Sequence, residues 1–148
     1  MGTRRESREW VVQILFNIDV NPGELDVIFK HFWAERQAEP SSRQFTESTV
    51  RGVVEKKSEI DEIIKKYAKH WDIKRMGIIE RNTMRMAIYE MSYVKEVPPV
   101  VSINEAIDIA KYFSNTEAGR FVNGILDRFR KDLTRPARKA DPAKTAGQ

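Results

Sequence analysis

Apolar residues recur at three- and four-residue spacing in nearly every segment of this chain, which places them on one face of an α-helix. The clearest stripe lies near the C-terminus and consists of Val122, Ile125, Leu126 and Phe129. Asn123-Gly124 interrupts it, and close packing or a buried hydrogen bond is the usual reason for such a pair inside a helix. No segment of useful length shows the alternation typical of a strand. The sequence therefore predicts an all-α domain of seven helices.

Residues that cap or break helices predict where several of these helices begin and end. A Ser or Thr followed three residues later by Glu or Gln can form a capping box at a helix start. We expect helices to open at Thr3 with Glu6, at Ser41 with Gln44, at Ser58, and at Ser102 with Glu105. Asn21-Pro22-Gly23 should end the first helix, and Pro98-Pro99 indicates an extended link before the sixth.

The fifth helix, from about residue 78 to residue 94, is predicted to be the central one. Its apolar residues lie on two stripes: Met84, Ala87, Ile88 and Met91 on one, and Ile79, Met86 and Tyr93 on the other. A helix that is apolar on more than one side is normally buried among its neighbours.

Length and composition narrow the class of protein. A chain of 148 residues fits one domain whose core needs no covalent staples. There is no cysteine, so neither a disulfide framework nor a thiolate metal site is expected. No apolar run approaches the length of a membrane span, and the N-terminus carries arginines in place of an apolar signal core. We therefore expect a cytoplasmic protein with no membrane partner.

The positive charge of the chain is concentrated at its two ends. The net charge is +4, and residues 134–148 carry four basic side chains against one acidic one. That segment is also poor in apolar residues and rich in helix breakers, so we expect a folded domain over residues 1–133 and a disordered basic tail over 134–148. The first eight residues hold three arginines and one glutamate. Any contact with a nucleic acid should therefore be local.

No pattern in the sequence indicates catalysis, a metal site or a cofactor. The two histidines, His31 and His70, stand in no recognisable base or ligand motif. There is no Gly-rich phosphate loop, HExxH motif or nucleophile elbow. We predict that the protein is not an enzyme.

The arginines at the start of the first helix are the best candidate binding site. Arg4 and Arg8 lie one turn apart, with Arg5 between them, so their guanidinium groups can follow successive phosphates. Cations at a helix N-terminus oppose the macrodipole, which favours a functional role over a merely solvated helix start. A second candidate is the start of the last helix, where Arg120 and Phe121 follow Glu117. Basic residues together with aromatic rings on which bases stack are typical of single-stranded RNA binding. Phe121 also fits an ordinary core position.

Charged residues on the central helix form a third candidate site. Glu80-Arg81 and Arg85 lie on a helix that is otherwise largely apolar. They are interpreted either as charge pairs within the helix or as the rim of a protein–protein interface.

Several separate segments of the chain resemble the NusB family of bacterial transcription antitermination factors. The matching segments, in order, are 80–91, Pro98, Ile103-Asn104-Glu105-Ala106, Ala110-Lys111-Tyr112-Phe113 and Phe121-Val122-Asn123-Gly124. The resemblance implies a seven-helix fold of two packed subdomains and a non-enzymatic role. It further implies binding of boxA RNA together with NusE, a small-subunit ribosomal protein, within an antitermination complex on RNA polymerase that supports rRNA operon transcription.

The resemblance also assigns roles to individual positions. It implies RNA contacts at Arg4, Arg5, Arg8, Glu117, Arg120 and Phe121. It implies a NusE surface that includes Glu80, Arg81, Tyr89 and Glu90.

Two alternatives of other classes are left open by the residues. The same fold occurs as an RNA-docking domain of rRNA cytosine methyltransferases, but the polar tail of this sequence leads us to expect no intact methyltransferase here. A helical protein that self-associates through apolar faces, with incidental arginines, is the other alternative. Homodimers occur in the family, so self-association would be compatible with the RNA-binding interpretation as well.

Overall fold

The computed structural model describes residues 3–133, and within this range the chain forms seven α-helices and no strand. The helices are α1 (Arg4–Val20), α2 (Leu25–Ala34), α3 (Pro40–Glu55), α4 (Lys57–Tyr67), α5 (Ile78–Tyr93), α6 (Pro99–Phe113) and α7 (Thr116–Asp132). A single 3-10 turn, Ile73–Arg75, lies between α4 and α5. The prediction of a seven-helix, all-α fold is confirmed. The predicted basic tail, residues 134–148, lies outside the described residues.

One of the four predicted helix caps is confirmed and three are wrong. The Thr3 side chain accepts a hydrogen bond from the Glu6 backbone N–H at 3.0 Å, which is one of the two bonds of a capping box. The helices α3 and α6 begin upstream of the predicted serines, at Pro40 and Pro99. Proline suits the first helical position because its φ is already helical and its missing N–H would have no partner there. In α4, Ser58 lies inside the first turn, because only Lys56 separates α3 from α4.

The early start of α6 changes the role of Ser102. This residue lies inside the helix and is fully buried, so it caps nothing. Its Oγ instead donates a hydrogen bond to the Glu90 carboxylate on α5, at 2.9 Å. The predicted Pro98-Pro99 link is therefore only partly correct, since Pro99 already belongs to the helix.

The predicted central position of α5 is confirmed. This helix packs against α1, α3, α4, α6 and α7, and nine of its sixteen residues are buried. Four of the buried residues are polar or charged, namely Asn82, Thr83, Arg85 and Glu90. The centre of the fold therefore has to satisfy charge as well as bury apolar surface.

Aromatic side chains attach α2 to α1. The rings of Trp10, Phe32 and Trp33 meet edge to face in pairs, with centroids 5.0–6.4 Å apart. The indole Nε1 of Trp33 donates to Glu47 on α3 at 2.7 Å, which satisfies its polar end. The first three helices thus pack together. The helices α6 and α7 pack extensively on each other, and both also contact α5.

The expected reason for Asn123-Gly124 is wrong. Asn123 is exposed, and a Cβ built on Gly124 would approach only the Arg128 guanidinium, at 4.0 Å. Neither close packing nor burial explains this pair, because both residues lie on the side of α7 away from the core. By contrast, a Cβ on Gly52 would collide with the ring of Tyr89, so close approach of α3 and α5 does require that glycine.

The two glycines should respond in opposite ways to alanine. Gly124→Ala is expected to raise the free energy of unfolding by about 1 kcal/mol, because alanine is the better helix former and the space is open. Gly52→Ala is expected to lower it by about 1–3 kcal/mol, because the Tyr89 ring must move. Urea denaturation followed by circular dichroism measures both, and a loss of stability in Gly124→Ala would contradict the open space described above.

Candidate nucleic-acid interface

A buried ion pair joins the start of α1 to the central helix. The Arg8 guanidinium donates from Nε and Nη2 to the two oxygens of Glu90, at 2.8 and 3.1 Å. The side chains are only 6% and 1% exposed, and Ser102 on α6 donates to the same carboxylate. A bidentate arginine–carboxylate pair with a further hydrogen-bond donor can offset the desolvation cost of burying both charges. The contact fixes α1, α5 and α6 together at one point.

Arg5 makes a more exposed contact on the same side of the molecule. Its guanidinium donates to both oxygens of Glu105 at 2.7 Å and to Asp108 at 2.9 Å, and 40% of its side chain is exposed. The hydrogen bonds from Arg5 hold the pKa of Glu105 below its usual range, and the Glu105 contact raises the pKa of Arg5. Because water reaches the pair, a phosphate can compete for this guanidinium.

Arg4 is the most available of the three arginines. It is exposed, and its guanidinium carbon lies 4.4 Å from the centre of the Phe45 ring on α3. Among residues 3–133 no carboxylate forms an ion pair with it. Phe45 is half-buried, and contact with its ring restrains the position of Arg4 while the charge stays accessible to solvent. The three arginines therefore differ in how accessible they are to a ligand. Arg4 forms no ion pair with the described residues, Arg5 is paired but partly exposed to solvent, and Arg8 is buried.

A second ion cluster joins the other end of α1 to α5 and α4. Asp19 accepts hydrogen bonds from Arg81 at 2.9 Å, Asn82 at 2.8 Å and Arg85 at 3.0 Å. Arg85 also donates to both oxygens of Asp61 on α4. Burial alone would raise the pKa of Asp19, but the bonds from Arg81 and Asn82 outweigh it, so the pKa lies below its ordinary value. The alternative of a charge pair within the helix does not describe Arg81, because its guanidinium binds Asp19 on α1.

The two clusters fix the direction and register of α1 against α5. Arg8 near the start of α1 meets Glu90 near the end of α5, whereas Asp19 near the end of α1 meets Arg81 near the start of α5. The two helices therefore run antiparallel, with an ion cluster at each end of their contact.

The second predicted RNA element, the start of α7, lies largely on the surface. Arg120 and Glu117 pair with each other one turn apart, and both side chains are more than 70% exposed. Phe121 is half-buried, and its ring meets that of Trp71 edge to face, with centroids 5.4 Å apart. Both predicted RNA elements pack on α6, the first through Arg5 and the second through the α6–α7 contact.

The predicted partner-binding residues are distributed along α5. Glu80 and Arg81 are half-buried at its start, and Tyr89 is half-buried with its ring over Gly52. Glu90 is buried and both of its oxygens are bound, so it presents no surface to a docked protein in this structure. The structure thus brings one predicted RNA-binding residue, Arg8, into contact with one predicted partner-binding residue. The roles of all ten residues in binding stay predictions.

Several residues at these sites were not found from the sequence. Asp19 and Asp61 bind the charged residues of α5, Phe45 lies beneath Arg4, and Trp71 lies beside Phe121. The two aspartates are 62 and 24 positions away from their arginines, so no helical spacing could have indicated these pairs.

Two classes of site receive no support from the part of the chain that the structure describes. Over residues 3–133 no three side chains of His, Asp or Glu converge in a way that could hold a metal ion. In the same range no helix has the combined length and apolar character needed to cross a bilayer.

Removing the buried arginine should be far more costly than removing the exposed one. Arg8→Ala leaves the Glu90 carboxylate buried without its counter-charge, and we expect the free energy of unfolding to fall by about 3–5 kcal/mol. Arg5→Ala breaks a partly exposed pair and should cost no more than about 1 kcal/mol, with Arg4→Ala as the matched control. Urea denaturation compares the three variants, and equal losses for Arg8→Ala and Arg5→Ala would contradict a structural role for the buried pair.

Acid should weaken the fold through the carboxylates that accept arginine hydrogen bonds. The pKa values of Asp19 and Glu105 are lower in the folded protein than their ordinary values. Their stabilising contribution is therefore fully present above the ordinary carboxyl pKa and is lost as the pH falls through the lowered folded value. Thermal melts over an acidic pH series should show a shallower loss of stability in Asp19→Asn than in the unaltered protein. Asp26→Asn, which alters an exposed pair with Arg51, is the control and should follow the unaltered protein.

Comparison with known proteins identifies the family. Residues 5–131 match the sequence profile of the NusB family. The transcription antitermination protein NusB of Desulforapulum autotrophicum is 40% identical over 132 residues, which cover 88% of this chain and 92% of that protein. The NusB protein of Trichlorobacter lovleyi is 42% identical over 127 residues, covering 86% and 89%.

Solved structures agree with the sequence comparison. A structure of T. maritima NusB is 32% identical, covers 93% of this chain and 97% of that chain, and superposes with a TM-score of 0.85. A crystal structure of the antitermination factors NusB and NusE in complex with double-stranded RNA is 27% identical, with coverage of 88% and 97% and a TM-score of 0.80. The chain belongs to the NusB family.

Proposed function

We propose that this protein is an RNA-binding transcription antitermination factor that binds boxA RNA together with NusE and supports transcription of rRNA operons. The observation that carries the proposal is the arginine cluster at the start of α1, in a chain whose relatives are antitermination proteins. A solved relative was captured with both NusE and RNA, which supports the choice of partners. The role is that of a non-enzymatic adaptor within the RNA polymerase antitermination complex, and the cytoplasmic location is part of the same proposal.

The arginines divide the work of RNA binding between contact and positioning. Arg4 and Arg5 supply guanidinium groups to phosphates, because both are reachable from solvent. Arg8 acts as a positioning residue, since its bond to Glu90 fixes the start of α1 on α5 and α6. Arg120 and the Phe121 ring extend the contact at the start of α7, where Glu117 holds Arg120 in the unbound protein.

NusE binding is assigned to the half-buried residues at the two ends of α5. Glu80, Arg81 and Tyr89 are half-buried and therefore still offer surface to a partner. Glu90 contributes indirectly, because it keeps α1 and α6 in place beside that surface. A partner bound next to the RNA raises the effective concentration of its own RNA contacts, so affinity should be higher in the ternary complex. Self-association of the protein as a homodimer stays a prediction.

The salt dependence of RNA binding tests the assignment of Arg4 and Arg5 to phosphate contacts. Replacing Arg4 and Arg5 with glutamine should reduce the slope of log affinity against log salt by about 1.4, because each neutralised single-strand phosphate contributes about 0.7. The matched control, Lys30→Gln with Lys57→Gln, removes the same charge from exposed positions on α2 and α4 and should leave the slope nearly unchanged.

The measurement is fluorescence anisotropy with a boxA-like RNA and a scrambled RNA, each with and without NusE. Preferential binding to the boxA-like RNA that NusE strengthens is the expected result. Equal binding to both RNAs would overturn the proposed function, whereas an unchanged slope in the arginine variant would remove Arg4 and Arg5 from the site.

A further inference from the structure

A groove of about 480 Å³ runs between the end of α4, the segment that follows it, and one side of α7. Phe121 and Arg120, already assigned to RNA, line one wall of this groove. Trp71, which lies beside Phe121, also lines the groove. The groove is therefore continuous with the proposed RNA surface but extends beyond it.

The aromatic residues of the groove form an open corner. Trp71 is 55% exposed, whereas the other two tryptophans of the chain, Trp10 and Trp33, are buried. The rings of Trp71 and Phe121 are inclined at 78°, with centroids 5.4 Å apart. A planar group can therefore stack on the face of one ring while its edge meets the other. Nucleobases suit such a corner because every base has a π-face.

The charges of the groove favour an anionic ligand. Lys69 and Arg128 belong to its lining, as does Arg120, which pairs with Glu117. Among residues 3–133 no carboxylate lines the groove. Arg128 is held in place because its Nη2 donates to the Tyr67 carbonyl at 2.9 Å. The larger cleft between α1 and α2 shows no such bias, since its lining includes both Glu24 and Arg36. A polyanion that carries planar groups fits the groove beside α7 better than it fits that cleft.

Gly124 keeps this groove open. It lines the groove, and a Cβ at this position would meet nothing nearer than the Arg128 guanidinium at 4.0 Å. Glycine is a poor helix former, and packing does not require it at this position in α7. A larger side chain would project into the space beside Phe121. The presence of glycine at position 124 is therefore explained by the groove volume that it leaves free, because no packing contact requires it.

We propose that this groove receives one unstacked base of single-stranded RNA. The base stacks in the corner formed by Trp71 and Phe121, while Lys69 and Arg128 contact the adjoining phosphates. The proposal rests on the proposed function and extends it, because it assigns Trp71, Gly124, Lys69 and Arg128 to RNA binding. Phosphate contacts by the arginines of α1 supply affinity without regard to sequence, so a base held in this groove is a separate source of selectivity.

The test combines Trp71→Ala with RNAs that lack single bases. Anisotropy is measured with an intact boxA-like RNA and with a series in which each nucleotide in turn is abasic. We expect Trp71→Ala to weaken binding of the intact RNA by about 5- to 160-fold, as loss of a stacked base does. One abasic RNA should be nearly insensitive to Trp71→Ala, because its missing base is the one that occupies the groove.

Tyr112→Ala is the matched control, because it removes an aromatic ring that is 72% exposed on α6 and does not line the groove. It should leave RNA affinity unchanged. A fully paired duplex of the same sequence should also be insensitive to Trp71→Ala, since its bases remain stacked. The proposal is overturned if Trp71→Ala has no effect, or if it weakens the intact, abasic and duplex RNAs equally.

Gly124→Leu provides a second test that separates binding from folding. We expect the melting temperature to stay the same or rise, because leucine is a better helix former than glycine, while RNA affinity falls because the side chain fills the groove. Unchanged affinity would contradict the proposal, and so would an effect of Gly124→Leu on NusE binding alone. A protein that binds boxA-like and scrambled RNA equally, yet still shows the single-base dependence on Trp71, would overturn the proposed function and leave the groove assignment intact.

Discussion

The bond between Arg8 and Glu90 is the contact on which the arrangement of three helices depends. It joins a helix at the start of the chain to the central helix 82 positions later, and Ser102 brings in a third helix at the same carboxylate. A charge pair with so little exposure is stable only if both partners stay in place. A hydrophobic core can tolerate small sliding motions of packed helices, because apolar contacts are not directional. A bidentate ion pair cannot, because both of its hydrogen bonds require a fixed geometry. Specific positioning in this fold therefore comes from its polar contacts, and much of the free energy of burial comes from its apolar ones.

The same logic explains why the central helix carries so much charge. Glu90 near its end, Arg81 near its start and Arg85 in its middle each bind a residue of α1, so the antiparallel pair is held at both ends. Between these points the contact is apolar, with Val11, Ile14 and Leu15 among the buried residues of α1. Arg85 also binds Asp61, which connects α4 to the same cluster. The surfaces proposed for RNA and for NusE are thus parts of one rigid arrangement, because α1 and α5 cannot shift independently.

Much of the fold was predictable because helical periodicity is a local property. The stripe in α7 and the two stripes in α5 gave the helices and the central position of α5 without knowledge of any distant contact. The starts of α3, α4 and α6 were misplaced, because Pro40 and Pro99 begin α3 and α6 upstream of the serines that match the capping pattern and only Lys56 separates α3 from α4. For the candidate site, the sequence pattern located the three arginines but could not show which of them are exposed and which is buried. Whether an arginine faces solvent or a buried carboxylate depends on Glu90 and Glu105, which lie far away in the sequence.

Because the three arginines differ in burial, they also differ in which amino acids can substitute for them. Lysine has the same charge as arginine, but it is a compact point charge on a flexible stem and cannot form the planar two-pronged contact. At Arg4, where charge near a phosphate is what counts, lysine is a chemically adequate substitute. At Arg8 it is not, because Glu90 requires two parallel donors in a space closed to water. Arg4 and Arg8 are four positions apart, yet the first position requires only a positive charge and the second requires a particular side-chain geometry. The first turn of α1 therefore joins a surface position that tolerates substitution to a buried position that does not.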